Sequence, residues 1–457
     1  MTEAYDGRRV LVAGLGLSGR SVARALLERG ARVMVVDDRT EDRLQQQAAE
    51  LRAGGAEVRL GEPTPDLDVE LVVTSPGWRP DQPVLAAASD AGIEVIGEPE
   101  LAWRLRPPGA PDWLGVTGTN GKTTTVGLLA SILTAAGLRT VAAGNVGVPL
   151  IDVVQAQPGY DVLAVELSSF QLHWSSTLRC AAASVLNVAD DHTDWHGSFA
   201  AYAEDKAKIL RGDAVAIVNL DDAGSIAASV ASSRRIGFTV GEPGRGEFGV
   251  RDGALVEGDG VPLADLAGLP LPGSHNVSNA LAASALASQQ GASPAAIRAG
   301  LAAYAPGRHR NEVVATGGGV VWVNDSKATN PHAAAASLAA YDSVVWIAGG
   351  LLKGAAVDDL VATVAARLRA VVLIGRDQAH IAAALARHAT DVPVVTIDTH
   401  DTNGMDEAVA AAARLAQPGD TVLLAPAAAS MDMFRDYAER GDRFVAAAER
   451  ATAARDR

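Results

Sequence analysis

The sequence predicts an α/β protein of three domains, each with a mainly parallel β-sheet flanked by helices. Short apolar runs alternate with longer segments of helical periodicity along most of the 457 residues, which is the pattern of parallel strands joined by crossover helices. Proline-containing stretches at 104–111 and 305–311 interrupt this pattern and indicate linkers. We therefore expect a Rossmann-like domain over 1–105, a P-loop ATPase-like domain over 106–306 and a Rossmann-like domain over 307–457.

Composition narrows the class of protein. The chain is 48% hydrophobic and carries a net charge of −15, which argues against a surface for nucleic acid or an anionic membrane. The single Cys180 excludes an internal disulfide framework and a cysteine-rich metal site. The sequence shows no signal segment and no run near the roughly 20 apolar residues of a membrane span. We expect a cytoplasmic monomer whose partners are small molecules.

The first glycine-rich loop, Gly14-Leu-Gly-Leu-Ser-Gly19, follows a predicted strand at Arg8–Ala13 and opens a helix. A second strand, Arg32–Val36, ends at Asp37-Asp-Arg39, which completes a dinucleotide-type fingerprint. A third strand ends at Ser75-Pro-Gly77, at the same predicted edge of the sheet. The glycines only bring a backbone close to a diphosphate, so the pattern leaves open a nicotinamide cofactor or a nucleotide sugar.

The second glycine-rich loop, Gly115–Thr125, lies between a predicted buried strand and a helix. Backbone N–H groups and the helix dipole bind phosphate in such a loop. Lys122 would reach the outer phosphates of ATP, and the Thr123 hydroxyl would bind Mg²⁺. Val116 occupies the position where the usual pattern has glycine, which marks a particular variety of phosphate loop.

The strands that follow the phosphate loop end in polar segments. These contain Asn145, Glu166, and His192 within an acidic stretch, and parallel strands bring such segments to one edge of a sheet. Glu166 is a candidate Mg²⁺ ligand, and we expect a site role for His192. Lys206 and Lys208 lie on a helix beginning near Ser198, where spacing alone indicates ordinary surface lysines.

The remainder of the chain contains a β-rich stretch and a third set of site segments. Residues 212–272 alternate short apolar runs with turn residues. Asn276 and Asn279 share one helix face, where they could cap the helix or contact a base. In the third domain, Asn324–Asn330, Gly349–Lys353 and Pro426–Ser430 each follow a predicted strand and should share one edge.

Taken together, these segments resemble the Mur ligases, ATP-dependent enzymes that form amide bonds in peptidoglycan precursor synthesis. Gly118-Thr-Asn-Gly-Lys-Thr-Thr124 is that superfamily's phosphate loop, shared with folylpolyglutamate synthetases. Glu166-Leu-Ser-Ser-Phe-Gln-Leu172 and Asn324-Asp-Ser-Lys-Ala-Thr-Asn330 are similar to the D-glutamate-adding branch. The resemblance implies that UDP-N-acetylmuramoyl-L-alanine is joined to D-glutamate through an acyl phosphate.

The resemblance also implies a role for individual residues, none of which spacing alone establishes. Those expected to hold the UDP substrate are Leu17, Ser18, Asp37, Arg39, Ser75, Pro76, Gly77, Asn145 and His192. Those expected to bind ATP are Gly118, Thr119, Asn120, Gly121, Lys122, Thr123, Thr124, Asn276, Asn279, Arg310 and Asp325. Those expected to bind D-glutamate are Lys327, Thr329, Lys353, Ser430 and Tyr437. The expected catalytic residues are Lys122, Asn145, His192, Lys206 and Lys327.

The metal site implied by the resemblance holds Mg²⁺, with two ions possible, through Thr123, Glu166, His192 and Lys206. Lys206 falls where the family has a carbamylated lysine. CO₂ adds only to a neutral amine, so this lysine needs a depressed pKa. The resemblance favours Lys206 over Lys208 for this role.

Three other functions compete with this interpretation. An NAD-dependent dehydrogenase would use the first glycine loop but leaves the phosphate loop without a role. A nucleotide-dependent switch or motor leaves the lysines of the third domain without one. A Mur ligase that adds another amino acid is the nearest alternative. For a ligase built from three domains, we expect an open-to-closed motion about linkers near Pro107 and Pro306.

Overall fold

A computed structural model describes residues 5–61, 67–258 and 260–455. The chain divides into two compact units. The first runs through Gly268 and includes Ser278–Tyr304; the second comprises Leu269–Val277 and the chain from Ala305 onward. Three sheets, two in the first unit and one in the second, confirm the predicted α/β class. Among the described residues, no helix is long and apolar enough to cross a membrane.

The first sheet has five parallel strands in the order β3-β2-β1-β4-β5. Its strands are β1 (Arg9–Ala13), β2 (Arg32–Asp37), β3 (Glu57–Leu60), β4 (Leu71–Thr74) and β5 (Glu94–Gly97). Its helices are α1 (Leu17–Leu27), α2 (Asp42–Ala53), α3 (Pro83–Asp90) and α4 (Glu98–Arg104). The strand order reverses at β1, so the loop after β1 and the turn after β4 flank the crevice where open α/β sheets bind ligands.

The second sheet has nine strands in the order β14-β13-β12-β11-β10-β9-β6-β8-β7. Its strands are β6 (Asp112–Thr117), β7 (Ala142–Gly144), β8 (Val162–Glu166), β9 (Ala182–Val185), β10 (Val215–Asn219), β11 (Arg235–Phe238), β12 (Phe248–Arg251), β13 (Ala254–Glu257) and β14 (Val261–Asp265). The strands from β6 to β12 pair in parallel, whereas β12, β13 and β14 form antiparallel pairs. The β-rich stretch expected at 212–272 is therefore an extension of the central sheet.

The helices that lie between the strands of this sheet and after its last strand range in length from 4 to 15 residues. The helices of this part of the chain are α5 (Lys122–Ala135), α6 (Leu150–Val153), α7 (Ser169–His173), α8 (Thr193–His196), α9 (Phe199–Ala207), α10 (Ala223–Ala228), α11 (Ser274–Ser288) and α12 (Pro294–Ala303). Lys208 belongs to a 3₁₀ turn after α9. Helix α11 begins at Ser274, so Asn276 and Asn279 both lie within it, as their predicted common helix face requires.

The third sheet has six strands in the order β15-β16-β20-β17-β18-β19, of which only β15 is antiparallel to its neighbour. Its strands are β15 (Glu312–Gly317), β16 (Val320–Asn324), β17 (Val344–Gly349), β18 (Leu368–Ile374), β19 (Val394–Thr396) and β20 (Thr421–Leu424). Its helices are α13 (Pro331–Leu338), α14 (Asp358–Val364), α15 (Gln378–His388), α16 (Gly404–Leu415) and α17 (Tyr437–Arg455).

The third sheet is buried on both faces, which explains its continuous apolar strands. Trp346 packs into the core on one face, while its neighbours Val345 and Ile347 pack into the core on the other. Successive side chains of a strand point to opposite faces, so each strand must be apolar throughout to fill both cores. Strands β16, β20 and β17 are adjacent, which confirms that the three predicted segments after them share one edge.

Candidate active site

The phosphate loop has the geometry expected between β6 and α5. Gly121 precedes the helix in a left-handed conformation (φ 85°), and a Cβ there would lie 2.3 Å from Asn279 Oδ1. Lys122 folds back over the loop, and its Nζ donates to the carbonyl oxygens of Gly118 at 2.7 Å and Thr119 at 2.9 Å. The loop thus presents a cation and a helix N-terminus at one place, as phosphate binding requires.

Asn145 and Glu166, both predicted site residues, are directly hydrogen-bonded. Asn145 Nδ2 donates to Glu166 Oε1 at 2.8 Å, and the Asn145 backbone N–H donates to the Glu166 carbonyl at 2.9 Å. Glu166 is buried at the end of β8, and within the described part of the chain its Oε2 accepts no hydrogen bond. A buried carboxylate oxygen without a donor is costly, and a bound cation would satisfy it.

Lys206, and not Lys208, lies beside the phosphate loop. Its side chain is 1% exposed, and its Nζ donates to the Gly118 carbonyl at 2.8 Å. Burial and the nearby Lys122 hold the pKa of Lys206 well below its usual range. Lys208 instead forms an ion pair with Asp205 at 2.6 Å. The structure therefore distinguishes the two lysines, which sequence spacing does not: Lys206 is buried beside the phosphate loop, and Lys208 is paired with Asp205.

His192 directly precedes helix α8 in a left-handed conformation (φ 55°, ψ 21°), and its side chain is 39% exposed. Its ring lies 4.8 Å from the ring of Phe170 and 6.3 Å from that of Tyr202. Tyr202 in turn contacts Lys206, whose Nζ lies 4.5 Å from the ring centre. A set of aromatic rings thus joins the His192 loop to the Lys206 helix.

At the end of β2 in the first sheet, the buried Asp37 accepts a hydrogen bond from the backbone of the first glycine-rich loop. Its carboxylate is fully buried, and Oδ2 accepts from the Leu15 backbone N–H at 2.7 Å. Arg39 pairs with the same carboxylate at 2.9 Å and remains half exposed. Burial alone would raise the pKa of Asp37. Hydrogen bonds from Arg39 and Leu15 nevertheless hold this pKa below its usual value. Ser75 packs against Gly14, so the two predicted segments of this domain meet.

Leu17, Ser18 and Arg39 are accessible members of the set of residues predicted to hold the UDP substrate. Leu17 is 57% exposed, and Ser18 is partly exposed on the first turn of α1. An exposed leucine beside a glycine loop offers an apolar surface to a flat ring, while Arg39 offers a cation. This edge of the sheet can receive a nucleotide diphosphate.

The two asparagines of helix α11 differ in their contacts. Asn279 Oδ1 accepts from Thr125 Oγ1 at 3.2 Å and borders the phosphate loop. Asn276 Nδ2 donates to the Pro272 carbonyl at 2.7 Å, which closes the start of its own helix. In the second unit, Asp325 accepts from the Asn311 backbone N–H at 3.2 Å, and burial raises the pKa of Asp325 to about 6.

The three segments at the edge of the third sheet are bonded to one another. Leu351 and Ala429 exchange two backbone hydrogen bonds, and Ala427 N–H donates to the Ala328 carbonyl. Lys327 Nζ lies 3.8 Å from the centre of the Tyr437 ring, so two predicted D-glutamate residues are in contact. The other predicted members lie at the same edge. They are Thr329, Lys353, which is exposed at φ 54°, and the buried Ser430.

Comparisons with known proteins match each part of the chain. Residues 8–97 match the N-terminal domain of MurD-like Mur ligases, residues 116–287 the Mur ligase middle domain, and residues 309–428 the glutamate ligase domain of Mur ligases. A UDP-N-acetylmuramoylalanine–D-glutamate ligase of Streptomyces avermitilis is 56% identical, over 97% of this chain and 98% of its own. This chain belongs to the Mur ligase family.

Two further ligases of the same name are also similar. That of Frankia casuarinae is 57% identical over 97% of this chain and 94% of its own, and that of Mycolicibacterium smegmatis is 50% identical over 96% of each. Among solved structures, a Methanothermus fervidus pseudomurein peptide ligase type C has a TM-score of 0.61 at 19% identity, covering 96% of this chain and 99% of its own. The MurF of Acinetobacter baumannii has a TM-score of 0.60 at 20% identity, covering 91% and 89%. These structures share the Mur ligase fold.

Two buried groups of this Mur ligase were not singled out by the sequence. Arg440, fully buried on α17, donates to Ser326 Oγ at 3.0 Å, to the Ser326 carbonyl at 2.8 Å and to the Ala428 carbonyl at 3.0 Å. It joins two of the site segments. The second group surrounds Asp205, next to Lys206. Its only sequence signal is a histidine at 196 in the acidic stretch that also holds His192.

Proposed function

We propose that this protein is an ATP-dependent ligase that joins UDP-N-acetylmuramoyl-L-alanine to D-glutamate in peptidoglycan precursor synthesis. The observation that carries the proposal is its 56% identity, over nearly the full length of both chains, to a ligase named for that reaction. The phosphate loop and the glutamate ligase domain support it. We propose further that the protein acts as a monomer in the cytoplasm, without nucleic-acid or membrane partners, as its net charge of −15 favours.

The first step is phosphoryl transfer to a carboxylate. An oxygen of the L-alanyl carboxylate attacks the γ-phosphorus of ATP, the bond to the bridging oxygen breaks, and ADP leaves with an acyl phosphate remaining. Both reactants are anions, so cationic groups must offset their repulsion. Lys122, held over the loop by two carbonyl oxygens, provides one such group and turns to the γ-phosphate when ATP binds.

The residues around Glu166 fit Mg²⁺. Glu166 has a buried oxygen with no donor in the described chain, and hard oxygen ligands suit this ion. Thr123, Glu166, His192 and Lys206 as its carbamate would hold it. Bound there, Mg²⁺ would neutralise charge on the phosphates. Asn145 fixes the orientation of Glu166 through its 2.8 Å hydrogen bond.

Lys206 fits a carbamate. Its amine is buried and its pKa is depressed by that burial, which favours the neutral form that attacks CO₂. The ammonium group first loses one proton, and the nitrogen loses a second as the nitrogen–carbon bond forms, so the side chain changes from a cation to an anion. This change relieves the repulsion between Lys206 and Lys122, which lowers the pKa in the unmodified protein.

The second step is amide formation. The neutral amine of D-glutamate attacks the acyl carbonyl, the carbon–nitrogen bond forms, the bond from carbon to the phosphate oxygen breaks, and phosphate and one proton leave. Lys327, beside Tyr437, supplies a cation for D-glutamate, and Thr329, Lys353 and Ser430 complete the proposed set. The UDP substrate would bind along Leu17, Ser18 and Arg39, with Asp37 bracing the loop beneath them. ATP would contact Asn276, Asn279, Arg310 and Asp325 as well as the phosphate loop.

An amino-acid panel tests the proposal. Phosphate release is measured with ATP, Mg²⁺, UDP-N-acetylmuramoyl-L-alanine and single D- or L-amino acids. We expect release with D-glutamate and none above background with L-alanine, L-lysine, meso-diaminopimelate or L-glutamate. Release that prefers another amino acid would assign the protein to another member of the family, and release without any amino acid would favour a nucleotide switch.

A further inference from the structure

We propose that His196 is a positioning residue of this reaction, which sets the relative placement of Glu166, His192 and Lys206. The inference rests on the proposed function, because those three residues are the proposed metal and carbamate site. His196 was not among the residues predicted from the sequence. The proposal comes from its contacts with three separate short helices.

The His196 ring is completely buried and hydrogen-bonded at both nitrogens. Nδ1 donates to Asp205 Oδ2, 2.9 Å away on α9, and Nε2 shares a hydrogen bond with Ser169 Oγ, 3.0 Å away on α7. The ring also stacks on Phe170 of α7, with centroids 5.5 Å apart and planes inclined by 10°. The imidazole of His196, which is the last residue of α8, therefore contacts both other helices.

Each of the three helices lies next to one proposed site residue or carries it. Glu166 ends β8, three residues before Ser169 of α7, and His192 directly precedes α8. Lys206 lies on α9 and follows Asp205 directly. Helices α7 and α8 have only five and four residues, too few to be stable without tertiary contacts. The orientation of the segments that flank the site residues therefore depends on contacts such as those of His196.

The cluster around Asp205 is a hydrogen-bond network and not a second metal site. His173, His196 and Asp205 do offer ligand atoms within 4.8 Å of one another. However, Lys208 already neutralises Asp205 at 2.6 Å, and His173 Nδ1 donates to the same carboxylate at 2.8 Å. A metal ion would have to break these bonds and approach the Lys208 ammonium, so the structure favours a purely positioning role.

Substitution of His196 by phenylalanine tests the proposal. His196→Phe keeps a flat ring for stacking but removes both hydrogen bonds. We expect kcat to fall about 10- to 100-fold and the Mg²⁺ concentration for half-maximal rate to rise several-fold, as is usual when a group that orients metal ligands is lost. KM for D-glutamate should stay within about twofold, because Lys327 and its partners lie in the other unit. His196→Asn, which can still donate to Asp205, should recover part of the activity.

A second readout does not depend on turnover. The protein is incubated with ¹³C-bicarbonate, and the carbamate signal on Lys206 is recorded by NMR. We expect a weaker signal in His196→Phe than in wild type, and a wild-type signal in the matched control His388→Phe, a partly exposed histidine paired with Asp358. If wild type shows no D-glutamate-dependent phosphate release, the proposed function fails, while the carbamate signal, which needs no turnover, still tests the positioning role.

Several outcomes would overturn the inference. One is a His196→Phe protein with wild-type kcat, Mg²⁺ requirement and carbamate signal. Another is a loss of kcat in which the Mg²⁺ requirement and the carbamate signal do not change. If His196→Phe does not fold, Ser169→Ala decides, since it removes only the hydroxyl that is hydrogen-bonded to Nε2. Wild-type values of all three quantities in Ser169→Ala and His196→Asn would then contradict the proposal.

Discussion

At the scale of single residues, the candidate site contains groups that destabilise the ligand-free protein but could interact favourably with a ligand. Glu166 has a buried oxygen without a donor, and Lys206 is a buried amine near a second cation. Neither arrangement stabilises the fold. The proposed Mg²⁺ ion would satisfy the free oxygen of Glu166, and the proposed carbamate would remove the positive charge of Lys206.

Replacement of Glu166 by glutamine should separate stability from function. The glutamine carbonyl can still accept from Asn145, while the buried negative charge is lost. Without Mg²⁺, we expect the free energy of unfolding in urea to be unchanged or higher by about 1 kcal/mol. The Mg²⁺ requirement should rise and activity should fall. A variant that is clearly less stable without Mg²⁺ would show that Glu166 supports the fold.

Replacement of Lys206 by arginine tests the carbamate. Arginine keeps the positive charge but cannot form the adduct, because it stays protonated. We expect turnover to fall about a hundredfold and the ¹³C carbamate signal to vanish. Wild-type turnover in Lys206→Arg would rule out a role for the carbamate in the reaction.

At the scale of elements, helix α4 connects the first two sheets through two buried glutamates. The pKa of Glu98 is raised, and the pKa of Glu100 is lowered. Glu98 is buried and accepts from the Ile151 backbone N–H at 2.7 Å, and its Oε2 has no donor within the described chain. Glu100 accepts from the backbone N–H groups of Thr177 and Leu178. These contacts oppose free motion about the linker at 104–111, one of the two hinges expected from the sequence.

The two glutamates should give opposite pH dependence of stability. Burial raises the pKa of Glu98 from 4.5 to about 7. The folded state therefore holds a proton that the unfolded state has lost, and this group's contribution to stability decreases by up to about 3 kcal/mol as pH rises from 4.5 to 7. In Glu98→Gln this pH-dependent loss should be absent. The free energy of unfolding of the variant, relative to that of wild type, should therefore be higher at pH 8 than at pH 5.

Glu100 provides the matched comparison. Burial would raise its pKa, but hydrogen bonds from Thr177, Ser176 and Arg104 lower it overall. Its contribution is present above its unfolded pKa and is lost as pH falls through the lower folded value. Glu100→Gln should therefore be less stable than wild type at pH 8, as measured by urea unfolding. Equal pH profiles for the two variants would contradict this account of α4.

Arg440 allows a similar test in the second unit. Arg440→Met leaves the Ser326 and Ala428 carbonyl oxygens without their donors, and we expect a loss of about 3 kcal/mol of stability. KM for D-glutamate should rise because two site segments lose their link. Arg435→Met is the control, since that side chain is 79% exposed. A wild-type KM in a destabilised Arg440→Met protein would limit Arg440 to a structural role.

At the scale of the whole molecule, the sequence predicts the sheets better than the contacts between segments. The strands Arg9–Ala13 and Arg32–Asp37 each differ by one residue from the predicted Arg8–Ala13 and Arg32–Val36, because side-chain periodicity is a local property. The roles of Glu100 and Arg440 were not predictable in this way. Their partners lie 78 and 114 residues away along the chain, and no local pattern encodes such a pairing.

In the candidate site, too, some contacts are predictable from the sequence and others are not. The phosphate loop, Asn145 and Glu166 follow strands, so their meeting at one edge is predictable from a parallel sheet. His196 and Asp205 lie on short helices between strands, and their contacts depend on how those helices pack. Short helices carry too few residues for periodicity to indicate a face, which is why this network became visible only in the structure.

The most direct test of the central claim follows an oxygen atom. UDP-N-acetylmuramoyl-L-alanine labelled with ¹⁸O in its terminal carboxylate is incubated with ATP, Mg²⁺ and D-glutamate, and the released phosphate is analysed by mass. The carboxylate oxygen that attacks the γ-phosphorus stays on phosphorus when the amine displaces phosphate. We predict one ¹⁸O atom per phosphate, released only with D-glutamate and matched by amide product. Unlabelled phosphate would contradict the account, because water would then have attacked ATP.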